Sequence, residues 1–313
     1  YKAELEQLIQ QEKWTELEDS FYTIVPFGTG GRRGTVGLGS NRINKVTIGD
    51  SSRGLSDYLK TGSVVIAYDT RLTSVELARY TASVFAANNI QTYLFDSDRP
   101  TPELSFAVRY LNASAGVVIS ASHNPPADNG FKVYWNDGGQ VIPPHDTNIM
   151  AAVAATKEIK TTDFAAAVKA GTIKTISQEV DDAYHAAVLA ESLSSNRAAT
   201  VVYSPLHGSG GKSALAVLKK AGFNVTEVTE QSTPDGNFPN IPNHIANPEV
   251  PATNELATEY AQRTGADFAL TTDPDADRLG VIARDKAGLY QFLTGNQIAT
   301  LIGYYVLSEL KKQ

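Results

Sequence analysis

A pattern that occurs twice constrains this chain more than any other: a short apolar strand running directly into a loop loaded with reactive side chains. Ala115-Gly116-Val117-Val118-Ile119 leads into Ser120-Ala121-Ser122-His123-Asn124-Pro125. Far downstream, Asp267-Phe268-Ala269-Leu270-Thr271-Thr272 leads into Asp273-Pro274-Asp275-Ala276-Asp277-Arg278. Apolar runs of this length, bounded by turn formers, read as buried strands. Loops beyond the ends of such strands carry the ligands of open α/β sheets.

The surrounding sequence repeats the strand and helix plan. In the first half, Val64 to Tyr68 and Thr92 to Phe95 read as strands. A helix begins at about Ser74, with Thr73 and Glu76 spaced as a capping box, and another follows Pro102. Phe131 to Trp135 resumes as a strand, and the Ala-, Glu- and Val-rich segment 178–193 reads as a helix closing the unit. A second unit starts at Ala199 to Tyr203, passes a glycine-rich turn and a helix through Lys220, and continues into the strand Asn224 to Val228. The Pro- and Asn-rich stretch 231–254 reads as a long surface excursion, and Thr294 with Gln297 forms a capping box for a last helix. This alternation defines an α/β protein.

The two loops carry complementary chemistry. Ser122 offers a hydroxyl nucleophile, stiffened by Pro125 and Pro126 and by the turn formers Asn124, Asp128, Asn129 and Gly130. A plain polar turn is the rival reading of that run alone. Asp273, Asp275 and Asp277 alternate so that three carboxylates can aim at one point, and their mutual repulsion makes a bound cation the economical reading, a solvated acidic turn being the rival. An EF-hand loop needs Gly at its sixth position and Glu at its twelfth, where this chain has Arg278 and Arg284. Mg²⁺ fits a few carboxylates whose coordination is completed by phosphate and water. Arg278 beside the loop suits phosphoryl oxygens, because a guanidinium presents donors in a fixed fork.

A third constellation, Phe27-Gly28-Thr29-Gly30-Gly31-Arg32-Arg33-Gly34, combines glycine, which lets a backbone approach an anion, with arginine, which holds it. It fails as a dinucleotide fingerprint because Arg33 stands where a glycine is required. The run Leu206-His207-Gly208-Ser209-Gly210-Gly211-Lys212-Ser213 ends like a nucleotide-binding loop but begins with Leu206 in place of its first glycine.

Four ordered segments, Phe27 to Gly34, Ser120 to Pro125, Gly130 to Lys132 and Asp273 to Arg278, resemble the α-D-phosphohexomutases. Gly37 to Asn44 and Asn247-Pro248-Glu249 look most like the phosphoglucomutase and phosphopentomutase branch. The resemblance implies two consecutive three-layer α/β domains with mixed sheets, plus the first helix of a third domain. Their expected extents are 1–195 for the phosphoserine domain, 196–293 for the metal-loop domain and 294–313 for the start of the third. It further implies an enzyme that interconverts hexose 1-phosphate and hexose 6-phosphate, glucose first, through phosphorylated Ser122 and a sugar bisphosphate. Mg²⁺ would sit on Asp273, Asp275, Asp277 and the phosphate of Ser122. Arg33, Lys132 and Arg278 would steady the phosphoryl oxygens, with Thr29 and Asn124 as further binding residues. His123 or Lys132 would exchange the hydroxyl proton, His123 otherwise orienting the loop. Asp69 and Arg71 match an element taken as a structural ion pair. Phosphomannomutase, phosphopentomutase and an inactive phosphosugar-binding relative are the alternatives.

Composition narrows the partners. With 27 basic and 34 acidic residues the formal charge is -7, which argues against a general nucleic-acid surface. The absence of cysteine excludes thiol catalysis and cysteine-based zinc sites. No long apolar run reads as a membrane span, and a cytoplasmic enzyme of open oligomeric state is expected. Because sugar selection and the remote phosphate clamp would lie in later domains, little turnover is expected from these residues alone. His145, His185 and His244 read as surface or loop residues, whereas His207 matches a family turn near the second domain.

Overall fold

The computed structural model describes residues 1–28 and 30–312, which divide into two compact units. The first comprises residues 1–98, 104–121 and 127–177. The second comprises 99–103, 122–126 and 178–313. The helix Gln178–Ala190, expected at the close of the first unit, groups with the second.

In the first unit six strands are formed: β1 (Gly31–Thr35), β2 (Ser63–Tyr68), β3 (Gln91–Phe95), β4 (Ala115–Ile119), β5 (Asp128–Trp135) and β6 (Ile173–Ile176). They pair in the order β1-β5-β4-β2-β3-β6, with β4, β2, β3 and β6 parallel and β5 reversed, so that it pairs antiparallel with both β4 and β1. The sheet is therefore mixed. The central strands are apolar throughout because both faces are covered. Val64, Ile66, Val117 and Ile119 pack with Ile48 and Leu55 of helix Lys45–Leu59 and with Leu77 and Phe85 of helix Ser74–Ala87. On the opposite face Gly116 lies against Leu104 and Val108 of helix Thr101–Tyr110, where a Cβ would come within 2.6 Å of Val108.

The second unit adds β7 (Thr200–Ser204), β8 (Asn224–Glu227), β9 (Phe268–Thr272), β10 (Leu279–Arg284) and β11 (Tyr290–Leu293), in the order β11-β10-β9-β7-β8. Here β9, β7 and β8 are parallel while β10 is reversed and pairs antiparallel with both β9 and β11, so this sheet is mixed as well. Helix Glu255–Thr264 buries Ala257, Tyr260 and Ala261 against Val202, Ala269 and Ile282, and ends at Gly265, whose φ of 68° is the left-handed conformation that glycine adopts without penalty.

Two local expectations are corrected, and one strand is added. Thr73 caps no backbone amide: its Oγ1 instead accepts a hydrogen bond from Asn129 Nδ2, and Glu76 pairs with Lys45. The glycine- and arginine-rich segment around Arg33, to which the sequence assigns no element, is an edge strand, β1, in register with β5. The excursion through 231–254 is irregular, but it is no mere surface loop, since Phe238, Ile241 and Ala246 bury themselves against Leu206. The capping box of Thr294 and Gln297 forms as expected. Among the described residues no helix is long and apolar enough to cross a membrane.

Candidate active site

Ser122 follows β4 and has a φ of 53°, a left-handed conformation uncommon for a residue with a side chain. It is 1 % exposed, and its Oγ donates to Asp273 Oδ2 at 2.6 Å. His123 Nδ1 lies 3.3 Å from the same hydroxyl, and Asn124 is half-buried in the same loop. The serine loop and the acidic loop belong to one compact unit although they are remote in sequence.

The acidic loop is wound tightly after β9. The amide of Ala276, at φ 48°, donates to the carbonyl of Asp273. Asp273 Oδ1 accepts from the amides of Asp277 (3.1 Å) and Arg278 (3.0 Å). This winding brings one oxygen from each of Asp273, Asp275 and Asp277 within 4.8 Å of the others, with the first two carboxylates buried and the third exposed. Burial, then Asp275, then Asp277 push the Asp273 carboxyl well above the usual carboxylate range. A divalent cation removes that penalty, and the all-oxygen donor set suits Mg²⁺, so the residues present fit the ion.

Two segments hold the loop from behind. Thr101 Oγ1 donates to Asp275 Oδ2 (2.9 Å), and the Thr101 amide donates to the Asp275 carbonyl (2.8 Å). From the turn after β7, Ser209 directs both its amide and its hydroxyl at the Pro274 carbonyl, each at 2.9 Å. Gly208 presses so closely on Pro274 that a Cβ would lie 2.5 Å from its Cα. The run 206–213 is thus a buttress for the acidic loop, which gives its glycine a physical reason that the comparison with nucleotide-binding loops did not. His207 is buried there, with Nδ1 2.8 Å from the Thr233 carbonyl. Arg278 is partly exposed and its Nη1 lies 3.2 Å from Glu249 Oε1.

Of the other expected residues, Lys132 and Arg33 belong to the first unit. Lys132 is buried on β5 opposite Gly31 and Val118, and Arg33 is exposed on β1 opposite Gly130. Gly130 admits no side chain, since a Cβ would fall 2.6 Å from the Ser120 carbonyl oxygen and 2.7 Å from that of Arg32. Arg32 faces the interior, donating from Nη1 to the Thr47 carbonyl (3.0 Å), so the adjacent arginines do different work. Thr29 lies outside the described residues. Asp69 and Arg71 form a buried ion pair, with Arg71 Nε 3.1 Å from Asp69 Oδ2. His244 is exposed and His145 is stacked on Trp135, but the expectation for His185 is corrected. His185 is 5 % exposed, bridging the Lys212 carbonyl through Nε2 and Lys220 Nζ through Nδ1.

Thr101 and Ser209 were not identified from sequence. The bracket Pro100-Thr101-Pro102 is the one signal that singles out Thr101, because prolines on both sides fix the backbone around it.

Comparison with known proteins identifies the two domains. Residues 25–160 match the family described as phosphoglucomutase/phosphomannomutase, alpha/beta/alpha domain I, and residues 181–288 match domain II. A phosphoglucomutase of Staphylococcus saprophyticus is 39 % identical over 303 residues, covering 93 % of this chain and 54 % of its own length. A probable phosphoribomutase of Schizosaccharomyces pombe is 34 % identical, covering 99 % and 55 % respectively. Among solved structures, a putative phosphomannomutase of Thermus thermophilus superposes with a TM-score of 0.78 at 25 % identity, covering 92 % of this chain and 62 % of that one. The chain spans about half the length of the curated relatives it matches.

Proposed function

The chain belongs to the α-D-phosphohexomutase superfamily, the phosphoglucomutase and phosphomannomutase family, and from that premise we propose that the whole protein moves phosphate between the 1- and 6-positions of a hexose, glucose first. In this reading phosphorylated Ser122 is attacked by a sugar hydroxyl. The bond from phosphorus to Ser122 Oγ breaks, a bond to the sugar oxygen forms, and a sugar bisphosphate results. After the bisphosphate reorients, Ser122 Oγ takes back the other phosphoryl group, and the sugar monophosphate leaves with its phosphate moved.

The observation that carries this reading is the 2.6 Å contact between the Ser122 hydroxyl and Asp273 within a cluster of three carboxylates. Mg²⁺ held by Asp273, Asp275 and Asp277 supplies charge stabilisation to a transferring phosphoryl group. His123 orients the Ser122 hydroxyl and is within reach to exchange its proton. Arg278 binds phosphoryl oxygens, exchanging its present partner Glu249 for them. Lys132, Arg33, Thr29 and Asn124 are assigned phosphate or substrate contacts on the strength of the motifs that contain them. The helix Gly295–Leu310 is read as the opening of a third domain, and the enzyme as cytoplasmic.

The identity to a probable phosphoribomutase supports a second reading, in which the substrate is a pentose phosphate. Incubation of the chain with glucose 1,6-bisphosphate, followed by intact-mass analysis, tests the shared step: one phosphate is expected on the wild-type chain and none on Ser122→Ala. Phosphate uptake by Ser122→Ala would remove Ser122 from the mechanism. Assays of the full-length protein on glucose, mannose and ribose phosphates separate the substrate readings.

A further inference from the structure

The segment Arg99-Pro100-Thr101-Pro102-Glu103, which opens helix Thr101–Tyr110, lies far in sequence from the acidic loop and contains none of the residues expected to act on phosphate, yet it is tightly held. Arg99, Thr101 and Glu103 are all at most 5 % exposed. Arg99 grips Asp181 through two bonds, Nε to Oδ1 and Nη2 to Oδ2, each 2.8 Å. Such a fork fixes the guanidinium in a plane as well as at a distance. Prolines at 100 and 102 remove most of the torsional freedom on either side of Thr101.

What this segment presents is the side of Thr101 that meets Asp275. The amide clasps the Asp275 carbonyl at 2.8 Å, and the hydroxyl clasps Asp275 Oδ2 at 2.9 Å. A backbone bond and a side-chain bond to the same residue fix both its main chain and the plane of its carboxylate, and therefore the direction of its other oxygen, Oδ1. A metal ligand with a freely turning carboxylate loses orientation entropy on binding, whereas one held by a partner outside the coordination sphere does not.

We propose that Thr101 is a positioning residue for the metal centre: its hydroxyl orients the Asp275 carboxylate for a divalent cation, and the Arg99–Asp181 clamp holds that hydroxyl in place. The proposal rests on the metal-site reading of Asp273, Asp275 and Asp277 and adds a residue that the metal does not touch. Loss of such partners typically lowers metal affinity by about 10- to 100-fold.

Mn²⁺ serves as the probe, because its affinity and its electron paramagnetic resonance line shape are read without turnover. Wild type, Asp275→Asn, Thr101→Val and Thr101→Ser are titrated on the full chain, with thermal unfolding recorded in parallel. Thr101→Val, which keeps the shape and removes the hydroxyl, is expected to bind Mn²⁺ on the order of 10- to 100-fold more weakly with a changed line shape at saturation, and Thr101→Ser to restore both. If Thr101→Val does not fold, Thr101→Ala is read by the same criterion. Wild-type affinity in Thr101→Val beside weakened binding in Asp275→Asn would overturn the positioning role alone. So would an equal loss in Thr101→Ser and Thr101→Val. Absence of Mn²⁺ binding by wild type, or undiminished binding by Asp275→Asn, would instead overturn the metal-site reading and this inference with it.

Discussion

Ser122 Oγ and Asp273 Oδ2 meet at 2.6 Å, so the hydroxyl already donates to a carboxylate of the acidic cluster before any phosphate is attached. A bond this short to a carboxyl oxygen is among the stronger kinds in proteins when that carboxyl is ionised. It also acts on the acceptor, because donation to Asp273 favours its charged form, against burial and the neighbouring Asp275 and Asp277, which favour the neutral one. The serine and the acidic cluster are therefore coupled through this hydrogen bond.

That coupling has a pH signature. The Asp273 pKa is raised, so the cation must displace a proton from the cluster over part of the acid-to-neutral range, and affinity for Mn²⁺ should rise with pH there. Ser122→Ala removes a hydrogen bond that lowers this pKa, so the rise should shift to higher pH. Calorimetry in buffers of different ionisation enthalpy counts the protons released, and an affinity independent of pH in both proteins would contradict the coupling.

The buried pair Asp69 and Arg71 predicts a large loss of stability. Their side chains are 0 % and 1 % exposed, and Asp69 Oδ1 also accepts from Ser74 Oγ (2.6 Å) and the Arg71 amide (3.0 Å). Arg71→Met leaves a carboxylate buried without its countercharge, which costs about 3–5 kcal/mol. Urea unfolding measures this, and a loss under about 1 kcal/mol would mean that the pair behaves like a surface bridge.

Gly208→Ala should damage the cation site from outside it. The added methyl would meet Pro274 Cα at 2.5 Å and its carbonyl oxygen at 2.8 Å, so the acidic loop must move. Overpacking of this kind costs about 1–3 kcal/mol, and Mn²⁺ affinity should fall together with thermal stability. Unchanged affinity would show that the loop has room that the contacts deny it.

Glu103 makes a prediction about pH and stability. Burial first, and then the neighbouring Asp181, raise its pKa from 4.5 to about 9. The folded protein therefore holds this proton more tightly than the unfolded chain does. The resulting stability is complete below about pH 4.5 and is lost progressively as pH rises toward 9. Glu103→Gln cannot titrate, so its stability should fall less between pH 5 and 9 than that of wild type, by on the order of 1–3 kcal/mol. Parallel pH profiles for the two proteins would refute the assignment.

Much of this was legible in the sequence because the signals were local. The strands read at 64–68, 92–95, 115–119 and 268–272 announce themselves as apolar runs, and the alternate spacing of the three aspartates foretells that their carboxylates converge. The errors arose where a tertiary partner outcompeted the local one. Glu76 has the right spacing to cap its own helix but meets Lys45 instead. His185 lies in a polar-looking helix, yet Lys220 and the Lys212 carbonyl satisfy it inside the protein. The strand β1 was hidden because Gly31-Arg32-Arg33-Gly34-Thr35 has no apolar alternation, and only pairing with β5 makes it a strand. Thr101 was missed for the same reason, since its meaning depends on a residue 174 positions away.

That distance, and the 151 positions separating Ser122 from Asp273, set an order of events during synthesis. Chains grow at about 5–20 residues per second, so roughly 10–30 s pass between the emergence of the serine and that of the carboxylate it contacts. Throughout that interval a nascent chain carries β1 to β5 without the acidic loop, and the Ser122 hydroxyl has no Asp273 to receive its hydrogen bond. Long-range contacts of this kind also form late in refolding, because the loop they close must first lose its entropy. The Ser122 hydroxyl thus gains its Asp273 partner only once β9 and the loop that follows it have been synthesised.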